Sequence, residues 1–280
     1  MKPQSVRRHF IIPDTQVRTG VPLDYIDWVA QAIVDYRPDN VIHIGDHWDN
    51  PAFSMHDARG SLQMEGARYE DDIMVGNAAF SKLGEPLFRE MKRTARNAKP
   101  WRPQLDFFLG NHEHRVQRAL DAEPKMIGVI GMHQMVTNGW RRNAFLVPRS
   151  LDGVTYCHYF QSQMSSFPIA GSIDNRLNKI GTTFVQGHQQ GFLYGTRVYP
   201  DGRTRHGLVA GSCYLHKERY KGGLSNNHFR GLVVLNEVSD GDFCVMPLTL
   251  RYLCKKYEGT DLLTYMAKKY PNEDWSHLKT

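Results

Sequence analysis

The sequence predicts an α/β fold. Apolar strand-like runs alternate with an amphipathic helix at the start of the chain, and polar or titratable residues stand where those strands stop. From about residue 144 onward strands dominate, so the second half is expected to be mostly sheet. With 280 residues, 41% of them hydrophobic, the chain can bury a full core, and its length suits one large domain.

The elements follow in order. Residues 6–12 (VRRHFII) read as a strand that stops at Pro13-Asp14. Residues 23–36 (LDYIDWVAQAIVDY) place Ile26, Val29, Ala30 and Ile33 at helical spacing, with Asp24 near the start and Pro38 as the stop. VIHIG (41–45) is a short apolar strand. Residues 55–100 are charged and mostly helical in pattern, with Gly60, Gly66 and Gly84 expected as breaks. LDFFLG (105–110) reads as a strand, followed by a helix over about 113–121. The strands expected next are AFLV (144–147), GVTYCHYF, TTFVQG, FLYGTRVY, GLVAGS, GLVVLNEV and DFCVMPLTL, with hairpin turns at PDGR and SDGD. The last 30 or so residues look like an amphipathic tail. No repeat, low-complexity stretch or linker interrupts the chain. The expectation is a single domain over 1–280, with a helical insert at about 55–100 and a C-terminal extension at about 251–280.

Bulk properties narrow the function classes. No run approaches the ~18–20 apolar residues of a membrane span, so no membrane partner is expected. MKPQSVRRHF lacks an apolar core, which argues against secretion. Cys157, Cys213, Cys244 and Cys254 lie far apart with no CxxC pair, and read as reduced residues of a cytoplasmic protein. A net charge of +6 favours an anionic partner.

The informative feature is positional. Asp14 closes the first strand, Asp46 the second (GDHWDN) and Asn111-His112 the third (GNHE). His158 lies near the end of GVTYCHYF, and His188 follows TTFVQG. Ligands of open α/β sheets bind beyond the carboxyl ends of the strands. Singly, each residue could be a turn, a cap or a structural histidine. Together, five strands deliver Asp, Asp, Asn, His and His to one rim.

This order resembles the calcineurin-like metallophosphoesterase family, whose pattern is D-x-H, GD-x-x-D, GNH[DE], a lone His and G-H-x-H. The corresponding stretches here are Asp14-Thr15-Gln16, Gly45-Asp46-His47-Trp48-Asp49-Asn50, Gly110-Asn111-His112-Glu113, His158 and Gly187-His188-Gln189-Gln190. More narrowly, VIHIGDHWDNPAFSMHD, GNHEHR and AGSCYLHKERYKG with HFRGLVV resemble the members encoded by tailed bacteriophages, which would place the protein in host cytoplasm. The resemblance implies a four-layer αββα sandwich of two packed mixed sheets.

It also implies a centre of two divalent metal ions bridged by Asp46, with a bridging hydroxide attacking the phosphate. One ion would take Asp46, Asn111, His158 and His188. The other would take Asp14, Gln16, Asp46 and Gln190, where the family's two histidines have both become glutamine. That matched change on one ion argues against random decay. Its all-oxygen set suits a harder ion held more loosely. Manganese is the expected metal, with Mg, Fe, Zn, Ni or Ca as alternatives.

By the same resemblance His112 is the catalytic histidine, protonating the leaving oxygen or steadying phosphate charge. Asp49 would hydrogen-bond and orient it; otherwise Asp49 is a helix N-cap. Asn50 stands where the family's protein phosphatases carry a phosphate-gripping Arg, and Arg115 could compensate. His47 and His56 flank the second motif and could face the substrate, whereas His43, between Ile42 and Ile44, reads as a core residue. His216, Lys217, Arg219 and Tyr220 are further candidates for the substrate side. Residues 88–103 concentrate Arg89, Lys92, Arg93, Arg96, Lys99 and Arg102, a solvated helix face unless it contacts a nucleic acid.

The expected function is therefore metal-dependent hydrolysis of a phosphate ester, a nucleotide or nucleic-acid diester before a monoester. The alternatives are a phosphomonoesterase or Ser/Thr protein phosphatase, or a non-catalytic module that has lost its first metal. Retention of His112 and Asp49 speaks against the last. Oligomeric state is not written in the sequence.

Overall fold

In a computed structural model, residues 6–54, 66–218 and 226–279 are described. His56, Gly60, Arg219 and Tyr220 lie outside them. The first half is built from β1 (Arg7–Ile12), α1 (Asp24–Tyr36), β2 (Asn40–His43), α2 (Tyr69–Arg93), β3 (Gln104–Phe108), α3 (Asn111–Ala122) and β4 (Arg141–Asn143). The second half adds β5 (Arg149–Leu151), β6 (Val154–Tyr156), α4 (Ile173–Ile180), β7 (Phe184–Gln186), β8 (Phe192–Val198) and β9 (Thr204–Ala210). It ends with β10 (Gly231–Ser239), β11 (Asp242–Thr249), α5 (Leu250–Glu258) and α6 (Leu262–Lys269).

Two mixed sheets result. The six-stranded sheet runs β11-β10-β1-β2-β3-β4, parallel from β1 to β4 and antiparallel at β10 and β11. The five-stranded sheet runs β5-β6-β7-β9-β8, with β6, β7 and β9 parallel between antiparallel edges.

Alternation along the strands assigns the layers. Phe10, Ile12, Val41 and Phe107 face α1, α2 and α5. Ile11, Ile42 and Phe108 face the other way, against Tyr156, Val185 and Leu208 of the second sheet. Phe184 turns outward onto Leu177 of α4. The order is helices, sheet, sheet, helix, which is the αββα sandwich expected from the sequence.

Two expectations are corrected, and one helix is added. AFLV (144–147) is not a strand: Leu146 has a φ of 60°, and the chain turns there between β4 and β5. Gly84 does not break the helix in 55–100, because α2 runs from Tyr69 through both Gly84 and Pro86 to Arg93. A helical glycine costs only ~1 kcal/mol, less than the burial of Ala79, Phe80, Leu83 and Leu87 along one face returns. Gly76 in that helix has a packing reason, since a Cβ there would lie 1.9 Å from Trp48 Cδ1. Finally, α4 was not foreseen, although Ser172 caps its N-terminus through Asn175 N–H and Gly181 closes it in the left-handed region.

Candidate metal centre

The carboxyl ends of β1, β2, β3, β6 and β7 lead into Asp14, Asp46, Asn111, His158 and His188. The loops are tied to one another by their backbones. Gln16 N–H donates to Asp46 O (2.8 Å), Cys213 N–H to Asp14 O (2.8 Å) and Gly187 N–H to His158 O (3.0 Å). His188 N–H donates to Asp14 Oδ1 at 3.1 Å. Gln16, Asp46, Asn50 and His188 all hold positive φ (41°, 52°, 48° and 65°). Such backbone is costly outside glycine, and it collects at functional sites.

Glu113, to which sequence reasoning gave no role, locks the second and third motifs together. Its carboxylate accepts N–H bonds from Asp46 (3.0 Å), His47 (2.6 Å), Trp48 (3.0 Å) and Gly110 (2.7 Å). Burial and Asp46 push its carboxyl up to about 7, while the donors pull the other way. The loops are so close that a Cβ on Gly110 would stand 2.1 Å from Asp46 Oδ1.

A group of inward-facing donors lies at the centre. One ligating atom each from Asp46, His158 and His188 falls within 4.8 Å of the others. Asn111 Oδ1 stands between His158 Nε2 (2.9 Å) and His188 Nδ1 (2.8 Å), and Asp46 Oδ2 is 3.3 Å from His158 Nε2. His158 Nδ1–H donates to Ile44 O at 2.8 Å, which turns Nε2 inward. Burial works against charge on His158, but Asp46 and Asp14 raise its pKa to about 9. Burial and the neighbouring His158 lower His188 to about 4. Burial likewise opposes ionisation of Asp46, yet His112 and His158 hold its carboxyl well below the usual range.

The second set of expected ligands also fits a cation. Asp14 Oδ2, Gln16 Oε1 and Gln190 Oε1 are buried and accept no hydrogen bond from the described residues. Leaving a buried acceptor unsatisfied costs ~1–3 kcal/mol, a debt a hard cation would cancel. Burial and Asp46 raise Asp14 to about 7. Gln189, the spacer, turns away and accepts from Arg176 at 2.7 Å.

His112 flanks this centre. Its Nδ1 is 2.7 Å from Asp49 Oδ1, its Nε2 is 3.7 Å from Asp46 Oδ2, and its N–H donates to Asp46 Oδ1 at 2.9 Å. Asp49 caps no helix: the short 3-10 turn that follows has Asn50 at its cap. Burial opposes charge on Asp49, but His112, Arg18 and Arg115 keep it ionised. Burial also opposes charge on His112, and attraction to Asp46 and Asp49 outweighs it and raises the imidazole pKa.

Two of the expected substrate contacts, His47 and Asn50, are corrected. His47 is fully buried, bonded to Thr15 Oγ1 (2.8 Å) and Gly76 O (3.0 Å) and packed on Phe80. It belongs to the core, as does His43, which bonds Thr15 Oγ1 at 3.0 Å. Asn50 is also fully buried and spends its amide on His112 O (3.0 Å) and Trp48 O (3.3 Å). Arg115 is largely buried and donates to Asp49 O at 2.7 Å, although its other nitrogen ends 3.1 Å from His112 Nε2. His216 is buried and paired with Glu218 (3.0 Å). Lys217 pairs with Asp274 at 2.5 Å. In the basic stretch, Arg93 is spent on Glu90.

No protein-family model matches this chain, and no curated protein does. Among solved structures, it is similar to a conserved uncharacterised protein from Streptococcus pneumoniae, a predicted phosphoesterase, at 11% identity and TM-score 0.35, over 88% of this chain and 91% of that one. It is similar also to a phosphoesterase from E. coli, at 8% identity and TM-score 0.40, over 87% of this chain and 99% of that one. At such identities and TM-scores, neither likeness says what this chain does.

Proposed function

We propose that the chain hydrolyses phosphate esters with two divalent cations, as a calcineurin-like metallophosphoesterase of the tailed-bacteriophage type, and prefers diesters. One observation carries the reading: Asp46, Asn111, His158 and His188 converge beside a His112–Asp49 pair whose Nε2 edge faces the same centre. Asp46, Asn111, His158 and His188 would hold one cation, and Asp14, Gln16, Asp46 and Gln190 the other. Bound there, the cations supply a water of lowered pKa and positive charge for phosphate oxygens. Manganese suits both the mixed nitrogen–oxygen set and the all-oxygen set.

The chain's own groups do the rest. Asp49 accepts the Nδ1 proton of His112 and fixes the ring. Nε2, when protonated, delivers its proton to the departing alkoxide. Asn50 spends its amide on the backbone carbonyls of Trp48 and His112, so it is not free to clamp a dianion as an arginine at that place would, which favours a diester. The test is turnover of bis(p-nitrophenyl) phosphate against p-nitrophenyl phosphate by metal-stripped protein given Mn²⁺, Mg²⁺, Zn²⁺ or Ni²⁺. We expect diester hydrolysis, and on a diester with a poorer leaving group, diphenyl phosphate, a fall of ~10²-fold or more in His112→Ala. No turnover with any metal would sink the enzyme reading, and faster monoester turnover would overturn the diester preference.

A further inference from the structure

Arg18 lies just past the first motif, in QVRTG, and nothing in its spacing marks it. Its guanidinium NH1 donates to Asp49 Oδ2 at 2.8 Å, while His112 occupies Oδ1 of the same carboxylate at 2.7 Å. NH1 also reaches Glu218 Oε2 at 3.4 Å. Glu218 is itself held: its Oε1 accepts from His216 Nε2 (3.0 Å), and its N–H donates to Asn226 Oδ1 (2.9 Å). A continuous chain of charge-assisted bonds therefore runs from His112 through Asp49 and Arg18 to Glu218. Both carboxylates are almost wholly buried, at 5% and 4% side-chain exposure, against 14% for Arg18. That residual exposure faces a cavity of about 460 Å³ lined also by Pro51, Asp72, His216 and Trp275.

We propose that Arg18 is a positioning residue for the proposed reaction: by saturating Asp49 Oδ2 from an anchored guanidinium, it turns Oδ1 onto His112 and fixes the ring that protonates the leaving group. The proposal rests on the phosphoesterase reading above. Arg115 approaches Asp49 Oδ1 only to 3.6 Å and bonds the backbone carbonyl instead. It leaves Oδ2 unfilled, so it does not duplicate Arg18. A lysine would be a poor substitute, because its strongly hydrated ammonium ends a flexible stem, whereas the planar guanidinium is pre-organised for its hydrogen bonds.

The test separates this role from plain scaffolding. A p-nitrophenolate departs without help, whereas a phenolate needs a proton. Arg18→Ala should therefore lower kcat on diphenyl phosphate roughly tenfold or more. On bis(p-nitrophenyl) phosphate it should change kcat by less than about twofold, since that leaving group makes little call on general-acid help; KM should hold for both. Because Arg18 walls an open cavity, added guanidinium chloride should restore the diphenyl phosphate rate in Arg18→Ala, and sodium chloride at equal strength should not. Arg18→Lys should recover only part of it. An equal loss on both substrates, or no rescue in a variant whose melting temperature is unchanged, would overturn the proposal. If wild type turns over neither ester, the hydrogen-bonded Nδ1 proton of His112 remains as a readout by NMR. Its loss in Arg18→Ala and return with guanidinium would support the positioning role, and an unchanged signal would overturn it.

Discussion

At the residue scale, the centre is asymmetric in its donors. One set offers two imidazoles, a carboxylate and an amide oxygen, and the other three buried oxygens that accept no hydrogen bond from the described residues. Imidazole binds borderline ions such as Zn²⁺ far better than a neutral amide does. Calorimetric titration of the stripped protein with Zn²⁺ should thus give one tight and one weak step, and His188→Ala should abolish the tight one. Gln16→His with Gln190→His should tighten the weak step by roughly tenfold or more. Position 16 sits at φ 41°, a region in which histidine is several-fold enriched, so the backbone accepts the change. Two equally tight steps in wild type would contradict the asymmetry. The ligand candidates were legible because each stands at a strand end in a spaced motif. Arg18 and Glu113 were not, since their roles arise from contacts 31 and 67 residues away in the chain.

At the element scale, the junction between β2 and α3 depends on one side chain. Glu113, in the first turn of α3, gathers N–H groups from Gly110 and from three successive residues of the left-handed turn after β2. Glu113→Ala would strand four buried donors, and at ~1–3 kcal/mol for an unsatisfied buried group the loss should reach at least ~3 kcal/mol. Urea unfolding measures it, and a loss under ~1 kcal/mol would mean that water replaces the carboxylate. Strands and helices with long periodic patterns, such as β1, α1 and β10, could be located from sequence to within a residue or two. The misses have separate causes. AFLV has strand-like composition but lies in a tight turn, and Gly84 sits in a helix that burial overrides. The eight residues of α4 are too few to impose a clear period, and only the caps Ser172 and Gly181 mark them.

At the scale of the whole molecule, the sandwich buries neutral imidazoles outside the candidate ligand sets, which couples stability to pH. The layering itself was legible once the family pattern was in view, because alternation assigns each strand two apolar faces. Which histidines would be core was not, since burial depends on partners in other layers. His9, His216 and His277 are buried, and burial lowers the pKa of each, His277 to about 4. Through Nε2, His277 donates to Leu215 O at 2.8 Å, pinning the chain's last turn beneath the segment that follows β9. Its ordinary pKa is 6.5, so between about 4 and 6.5 the unfolded chain binds more protons than the folded one, and stability falls as pH drops through that window. The contribution is complete above pH 6.5 and gone below about 4. His112 and His158 carry the opposite sign, so wild type and variant must be compared under one metal condition. His277→Gln, which keeps a donor for Leu215 O and cannot titrate, should show a smaller drop in melting temperature from pH 7.5 to 4.5 than wild type does. Parallel melting curves for the two proteins across that range would show that His277 protonates without penalty and that its burial contributes nothing to the acid sensitivity of the fold.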